Sequence, residues 1–202
     1  DQVFRLFVIG NQLVKHFFGN GHISLLGWGR TFLPPEWPFT QSFLHPPPGW
    51  HVRKYDDTTF YRKHFQSFAG GSEAVDFLAF NASEKECWLI ESKDYRHHPR
   101  IKAKDLFEEI AMKVRATLAG LCSMRANAGD DERKFATEAL KKVKYRVVFH
   151  LEQPTHPSRL RPQIYDPKSL RDKLRQIMRP VDPHALAGNN KILNGKAAWT
   201  IT

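Results

Sequence analysis

Two short stretches decide how this chain folds: Ser72-Glu73-Ala74-Val75-Asp76-Phe77-Leu78 and Leu89-Ile90-Glu91-Ser92-Lys93-Asp94. Residues Ala74 to Asn81 and Cys87 to Lys93 read as two strands, and the polar segment Ala82-Ser83-Glu84-Lys85-Glu86 reads as the turn joining them into a hairpin. Asp76 interrupts a strand of otherwise apolar residues, where a lone carboxylate is costly to desolvate unless a cation or hydrogen-bond donors meet it. Side chains alternate along a strand, so Glu91 and Lys93 point to the same face. Fourteen residues separate Asp76 from Glu91, enough for the hairpin to turn and set the two carboxylates side by side with an ammonium next to them. Such a pair of oxygens suits Mg²⁺, a hard ion that prefers carboxylates, retains waters and often engages a phosphate.

The pattern extends outward from this hairpin. Thr58 to Phe68 reads as a short helix, with Phe60, His64, Phe65 and Phe68 at three- and four-residue steps, ended by Gly70-Gly71. A long helix is predicted from about Lys104 to Arg125, with Leu106, Phe107, Ile110, Val114, Leu118 and Leu121 as its apolar stripe and Asp105 suited to its N-terminus. Ala126 to Glu132 reads as a loop, Phe135 to Lys142 as helical, Tyr145 to Leu151 as a buried strand and Ser169 to Met178 as an amphipathic helix stopped by Pro180. Ala197 to Ile201 is a candidate last strand. Helix, hairpin, helix, strand, helix is the order of an α/β domain with a mixed sheet. Residues 1–50, rich in Phe, Trp, Gly and Pro, read instead as a turn-rich arm, leaving 51–202 as the domain proper. Within the arm, Val3 to Ile9 suggests a strand and Gln12 to Phe18 a short helix, while Trp28, Trp37 and Trp50 suit core packing better than base stacking.

Asp76, the fourteen-residue interval and Glu91-Ser92-Lys93 together resemble the PD-(D/E)xK signature of the restriction-endonuclease-like nuclease superfamily. The likeness covers about residues 55–151; Val75 stands where a proline often precedes the first acid. The resemblance implies a restriction-endonuclease-like α/β core, a central mixed β-sheet flanked by helices. It implies a Mg²⁺-dependent nuclease, in particular an endonuclease, that hydrolyses phosphodiester bonds of DNA in preference to RNA, with Mn²⁺ as a substitute metal. It further implies that Asp76, Glu91 and the Ser92 backbone carbonyl ligate the metal, while Lys93 orients or deprotonates the attacking water. Related nucleases often add an acid from the first helix; Asp56, Asp57 and Glu73 are the candidates, and Glu73 ranks first as the nearest to Asp76 in the chain. Lys113 and Arg115 fall where these nucleases often carry a basic residue facing the active centre. Many such nucleases act as homodimers or in larger complexes. The reading of a different class is a nucleic-acid-binding subunit that keeps the fold but has lost turnover or depends on a partner. A basic scaffold protein is a third.

Composition sets the frame for these expectations. The 202 residues are 41% hydrophobic and 26% charged, which excludes disorder throughout, and no apolar run is long enough to span a membrane. The net charge of +10 predicts attraction to polyanions, nucleic acid first. That charge is concentrated: residues 141–179 hold eleven Lys and Arg against three acids, with Arg171, Lys173 and Arg175 on the predicted helix. Arg96 and Arg100, in the loop after the hairpin, are further candidates for gripping a phosphate backbone. His97-His98 in that loop lack further ligands at zinc spacing. Two cysteines, Cys87 and Cys122, form no disulfide framework. Arg5, Lys15 and His16 interrupt the N-terminal stretch, so no export signal is expected and a cytoplasmic, reducing setting is.

Overall fold

The structure, a computed structural model, describes residues 5–9, 12–16, 44–45, 48–96, 100, 104–159, 164–197 and 200–201; in its first three segments and its last it describes the backbone alone. The chain divides into two compact units, Asp1–Thr40 and Gln41–Thr202.

The first unit contains a hairpin of β1 (Arg5–Ile9) and β2 (Gln12–His16), antiparallel, with Ile9 opposite Gln12. The helix expected over Gln12 to Phe18 is therefore corrected to a strand at Gln12–His16. The physical reason lies in the two residues between the strands, Gly10-Asn11: a Gly-Asn pair at this spacing is a hairpin signal and outweighs a weak helical period. Trp28 and Trp37 lie outside the described residues.

In the second unit, β3 (Leu44–His45) pairs with β9 (Thr200–Ile201). The main sheet has five strands in the order β4 (Trp50–Lys54), β5 (Phe77–Asn81), β6 (Glu86–Asp94), β7 (Lys144–Glu152) and β8 (Leu186–Gly188). The first three are antiparallel and the last two run parallel to β6, so the sheet is mixed, as the element order predicts. Between β6 and β7 come α1 (Leu106–Asn127) and α2 (Asp130–Leu140), and α3 (Pro167–Met178) crosses from β7 to β8 before the short α4 (Asn190–Leu193). Ala126 to Glu132 is mostly helical; only Ala128 and Gly129 separate α1 from α2.

Asp105 caps α1 by accepting from the N–H groups of Phe107 and Glu108, satisfying donors that have no partner inside the helix. One face of the sheet, with Leu78, Leu89, Val147 and Phe149, packs under α1, α2 and α3 in a large apolar core. The other face carries a smaller cluster of Ala79, Trp88, Ile90 and Val148 closed by Leu193 of α4. This alternation along β6 places Glu91 and Lys93 on the side that α1 covers. Among the described residues no helix is long and apolar enough to cross a membrane.

Candidate active site

Asp76 is anchored by three separate elements. It stands one residue before β5, whose register sets Phe77 opposite Ile90, so continuing the hairpin brings Asp76 opposite Glu91. The Ser92 N–H donates to Asp76 Oδ2 at 2.7 Å, and the Tyr55 N–H donates to the Asp76 carbonyl at 2.8 Å. The residue before it is tied to α1, because the Val75 N–H donates to Thr117 Oγ1 at 3.0 Å. The costly carboxylate in an apolar strand is thus met by a backbone donor from β6.

Glu91 is fully buried, at 0% exposure. Its Oε1 accepts from Lys113 Nζ at 2.7 Å and forms an ion pair with Lys93, whereas Oε2 is buried without a hydrogen-bond partner. Burial pushes the Glu91 carboxyl above its ordinary range and the charge of Asp76 adds to this, against the pull of the two ammonium groups. Burial also disfavours the Lys93 ammonium, but Glu91 and Asp76 outweigh it and hold Lys93 above the usual lysine range. The ion pair with Glu91 thus favours the charged form of Lys93.

The first-helix acids separate clearly. Asp56, in the helical turn Tyr55–Asp57, has a buried Oδ1 with no hydrogen-bond partner, the nearest cation being Lys54 at 3.8 Å. Burial pushes its carboxyl up to about 6; Lys54 opposes this, Asp76 and Asp57 add to it, and Lys113 opposes it weakly. Asp56 therefore senses the same charges that surround Glu91. Glu73 is exposed and makes itself felt at Tyr61, and Asp57 is paired with Lys54 at 2.8 Å. Asp56 thus offers a buried, unpartnered oxygen, whereas the first-ranked Glu73 is exposed.

The expected phosphate grips are also sorted by the structure. Lys113 sits inside the site, on Glu91. Arg100 is turned inward, its side chain 6% exposed, with its guanidinium on Glu109 at 2.8 Å and on the Lys104 carbonyl at 2.6 Å. Arg96 makes a two-pronged ion pair with Asp94 at the end of β6. Arg115 lies on the exposed side of α1 against Met112. On α3, Lys173 reaches over the Phe107 ring, away from Arg171 and Arg175. His97 and His98 lie outside the described residues.

Among the described residues no group of three or more His, Cys, Asp or Glu side chains is arranged to hold a metal ion. Mg²⁺ engages through as few as one or two carboxylates completed by waters and substrate phosphates, so the relevant donor set is the pair. The buried, unpartnered Oε2 of Glu91 fits that requirement, since an orphaned acceptor of this kind costs about 1–3 kcal/mol unless something fills it.

No family profile matches this chain, and no solved structure matches it. A cysteine–tRNA ligase of Neisseria meningitidis serogroup A / serotype 4A (strain DSM 15465 / Z2491) is 37% identical over 115 residues, covering 52% of this chain and 16% of the ligase. The chain thus spans about one-sixth of that relative's length.

Proposed function

We propose that this chain is a Mg²⁺-dependent nuclease with a restriction-endonuclease-like core, hydrolysing phosphodiester bonds of DNA. The observation that carries this reading is the meeting of Asp76 and Glu91 across the β5–β6 hairpin, with the Glu91 oxygen Oε2 free and Lys93 on Oε1. The mixed sheet supports it too: Asp76 precedes one antiparallel strand, Glu91 and Lys93 lie on the next, and a helix follows before a parallel strand.

In this reading Asp76, Glu91 and the Ser92 carbonyl would hold the metal, with Asp56 as a further acid. When bound, Mg²⁺ supplies polarisation of the scissile phosphate and a more acidic water. The protein's own groups do the rest. The Ser92 N–H fixes the rotamer of Asp76, and Thr117 holds the strand end from which Asp76 projects. The Lys93 ammonium stabilises charge developing on phosphoryl oxygens, and Lys113 balances the buried Glu91.

One observation favours the second reading, a binding subunit without turnover: two ammonium groups already share Glu91 Oε1, as in a purely structural charge cluster. Cleavage assays on single- and double-stranded DNA and on RNA, with Mg²⁺, Mn²⁺ or chelator, separate the two. RNA is included because the ligase relative is named for tRNA. Cleavage is expected with metal alone. Asp76→Ala and Glu91→Gln are expected to abolish it, and Lys93→Ala to slow it by about 100-fold or more while sparing metal binding. Nucleic-acid binding without any metal-dependent cutting would establish the second reading instead.

A further inference from the structure

The main sheet ends at β8, and beside that edge strand a groove of about 350 Å³ runs between α3 on one face and the α4 segment on the other. Its floor is apolar, with Leu186 and Leu193, and its rim carries Lys168, Arg171 and Arg175 from α3 and Lys196 from the turn after α4. Among the described residues no Asp or Glu lines it. The three α3 cations follow one another at steps of three and four residues, so they form a single stripe about 10 Å long.

Several other cations of the basic segment are already engaged. Lys142 is spent on the carbonyls of Asn81, Ala82 and Glu84, Lys141 on Glu138, and Arg146 on Glu86 and Asp182. Lys173 lies over Phe107, outside the groove. By contrast, among the described residues neither Lys168 nor Lys196 has an ion-pair partner, and Arg171 has only an exposed neighbour, Asp172. Arg175 holds the Ala185 carbonyl at 3.1 Å through Nε, which fixes the rim to the strand. The groove also has a defined place relative to the carboxylates. Ala187 pairs with Phe149, and Phe149 with Glu91, so the edge lies two strand spacings, about 10 Å, from the Glu91 backbone.

We infer that this edge groove is a binding track for the phosphodiester backbone of a nucleic acid, with Lys168, Arg171 and Lys196 as its phosphate contacts. Four cations around an uncharged floor match a line of phosphates, and an adjoining polyanion could reach the carboxylates two strands away. The inference rests on the nuclease reading only for its choice of polyanion.

The test is anisotropy titration of a fluorescein-labelled oligonucleotide, single- or double-stranded, with the full chain in chelator over a salt series. The triple variant Lys168→Ala, Arg171→Ala, Lys196→Ala is compared with Lys63→Ala, Lys85→Ala, Lys134→Ala, which removes equal charge from exposed sites outside the groove. The groove variant is expected to bind about tenfold or more weakly, with the slope of log K against log salt reduced by about 2 to 3, while the control changes less than about twofold. Arg171→Lys, which keeps the charge, is expected to retain binding. Equal losses in the two triple variants would overturn the proposal, leaving general charge as the cause. So would loss of binding to phosphatidylserine vesicles in the groove variant with oligonucleotide binding unchanged. Hydrolysis of bis(p-nitrophenyl) phosphate with Mg²⁺, a diester too small to follow the groove, is expected to be equal in wild type and groove variant. An inactive wild type that still binds through the groove would remove the nuclease reading and keep this one.

Discussion

Thr117 is fully buried in the middle of α1, and its hydroxyl oxygen takes the N–H of Val75, immediately before Asp76. Thr117→Val keeps the shape and removes the acceptor, leaving a buried donor unpaired. The expected cost is about 1–3 kcal/mol, read as a lower urea midpoint at unchanged m-value. Asp56 makes a pH-dependent prediction. Its carboxyl titrates at about 6 when folded, above the ordinary aspartate value of 3.8. Between these values the folded chain holds a proton that the unfolded chain has released, so Asp56 lowers stability as pH rises from about 4 to about 6. The difference in unfolding free energy between wild type and Asp56→Asn should change over that window and level off above it. A difference independent of pH would show that the buried Oδ1 does not raise the Asp56 carboxyl.

At the scale of elements, α1 is brought close to the helical turns after β4 by a missing side chain. A Cβ at Gly120 would meet the Tyr55 hydroxyl and stand 3.3 Å from the Phe65 ring, and Tyr55 is fully buried. Gly120→Ala is therefore expected to destabilise by about 1–3 kcal/mol through overpacking. Thermal unfolding measures this, and an unchanged or raised midpoint would contradict the tight packing. The hairpin, α1, β7 and α3 were all legible in the sequence, since their periods and end signals are local. Two strands of the main sheet were not. Trp50–Lys54 starts at the last residue read as the arm and runs into a stretch given no element, and it becomes an edge strand by pairing with β5. Leu186–Gly188 is three residues long, too short for any period, and exists through its parallel pairing with β7. The helical run after Thr58 is π-type at Tyr61–Phe65, and its start is capped from afar, with Glu132 of α2 accepting from the Thr59 and Phe60 N–H groups at 2.7 and 3.0 Å.

Across the whole molecule, β6 is the centre of the five-stranded sheet and is paired on both sides while apolar clusters cover both faces. Its amides and those of β7 are expected to exchange most slowly, at rates set by global unfolding, with β8 at the edge faster. Hydrogen-exchange mass spectrometry checks the order, and fast exchange in β6 would refute the packing given for it. The sequence by itself determined the hairpin, the shared face of Glu91 and Lys93 and the concentration of positive charge, because strand alternation, turn composition and charge are properties of neighbouring residues. Only the tertiary structure decided that Lys113 reaches Glu91 across 22 positions, that Thr117 holds Val75 across 42, and that the Tyr55 N–H holds the Asp76 carbonyl. Those contacts follow from how α1 and the turn after β4 pack on the sheet, and no local pattern encodes the distance between side chains that only packing brings together.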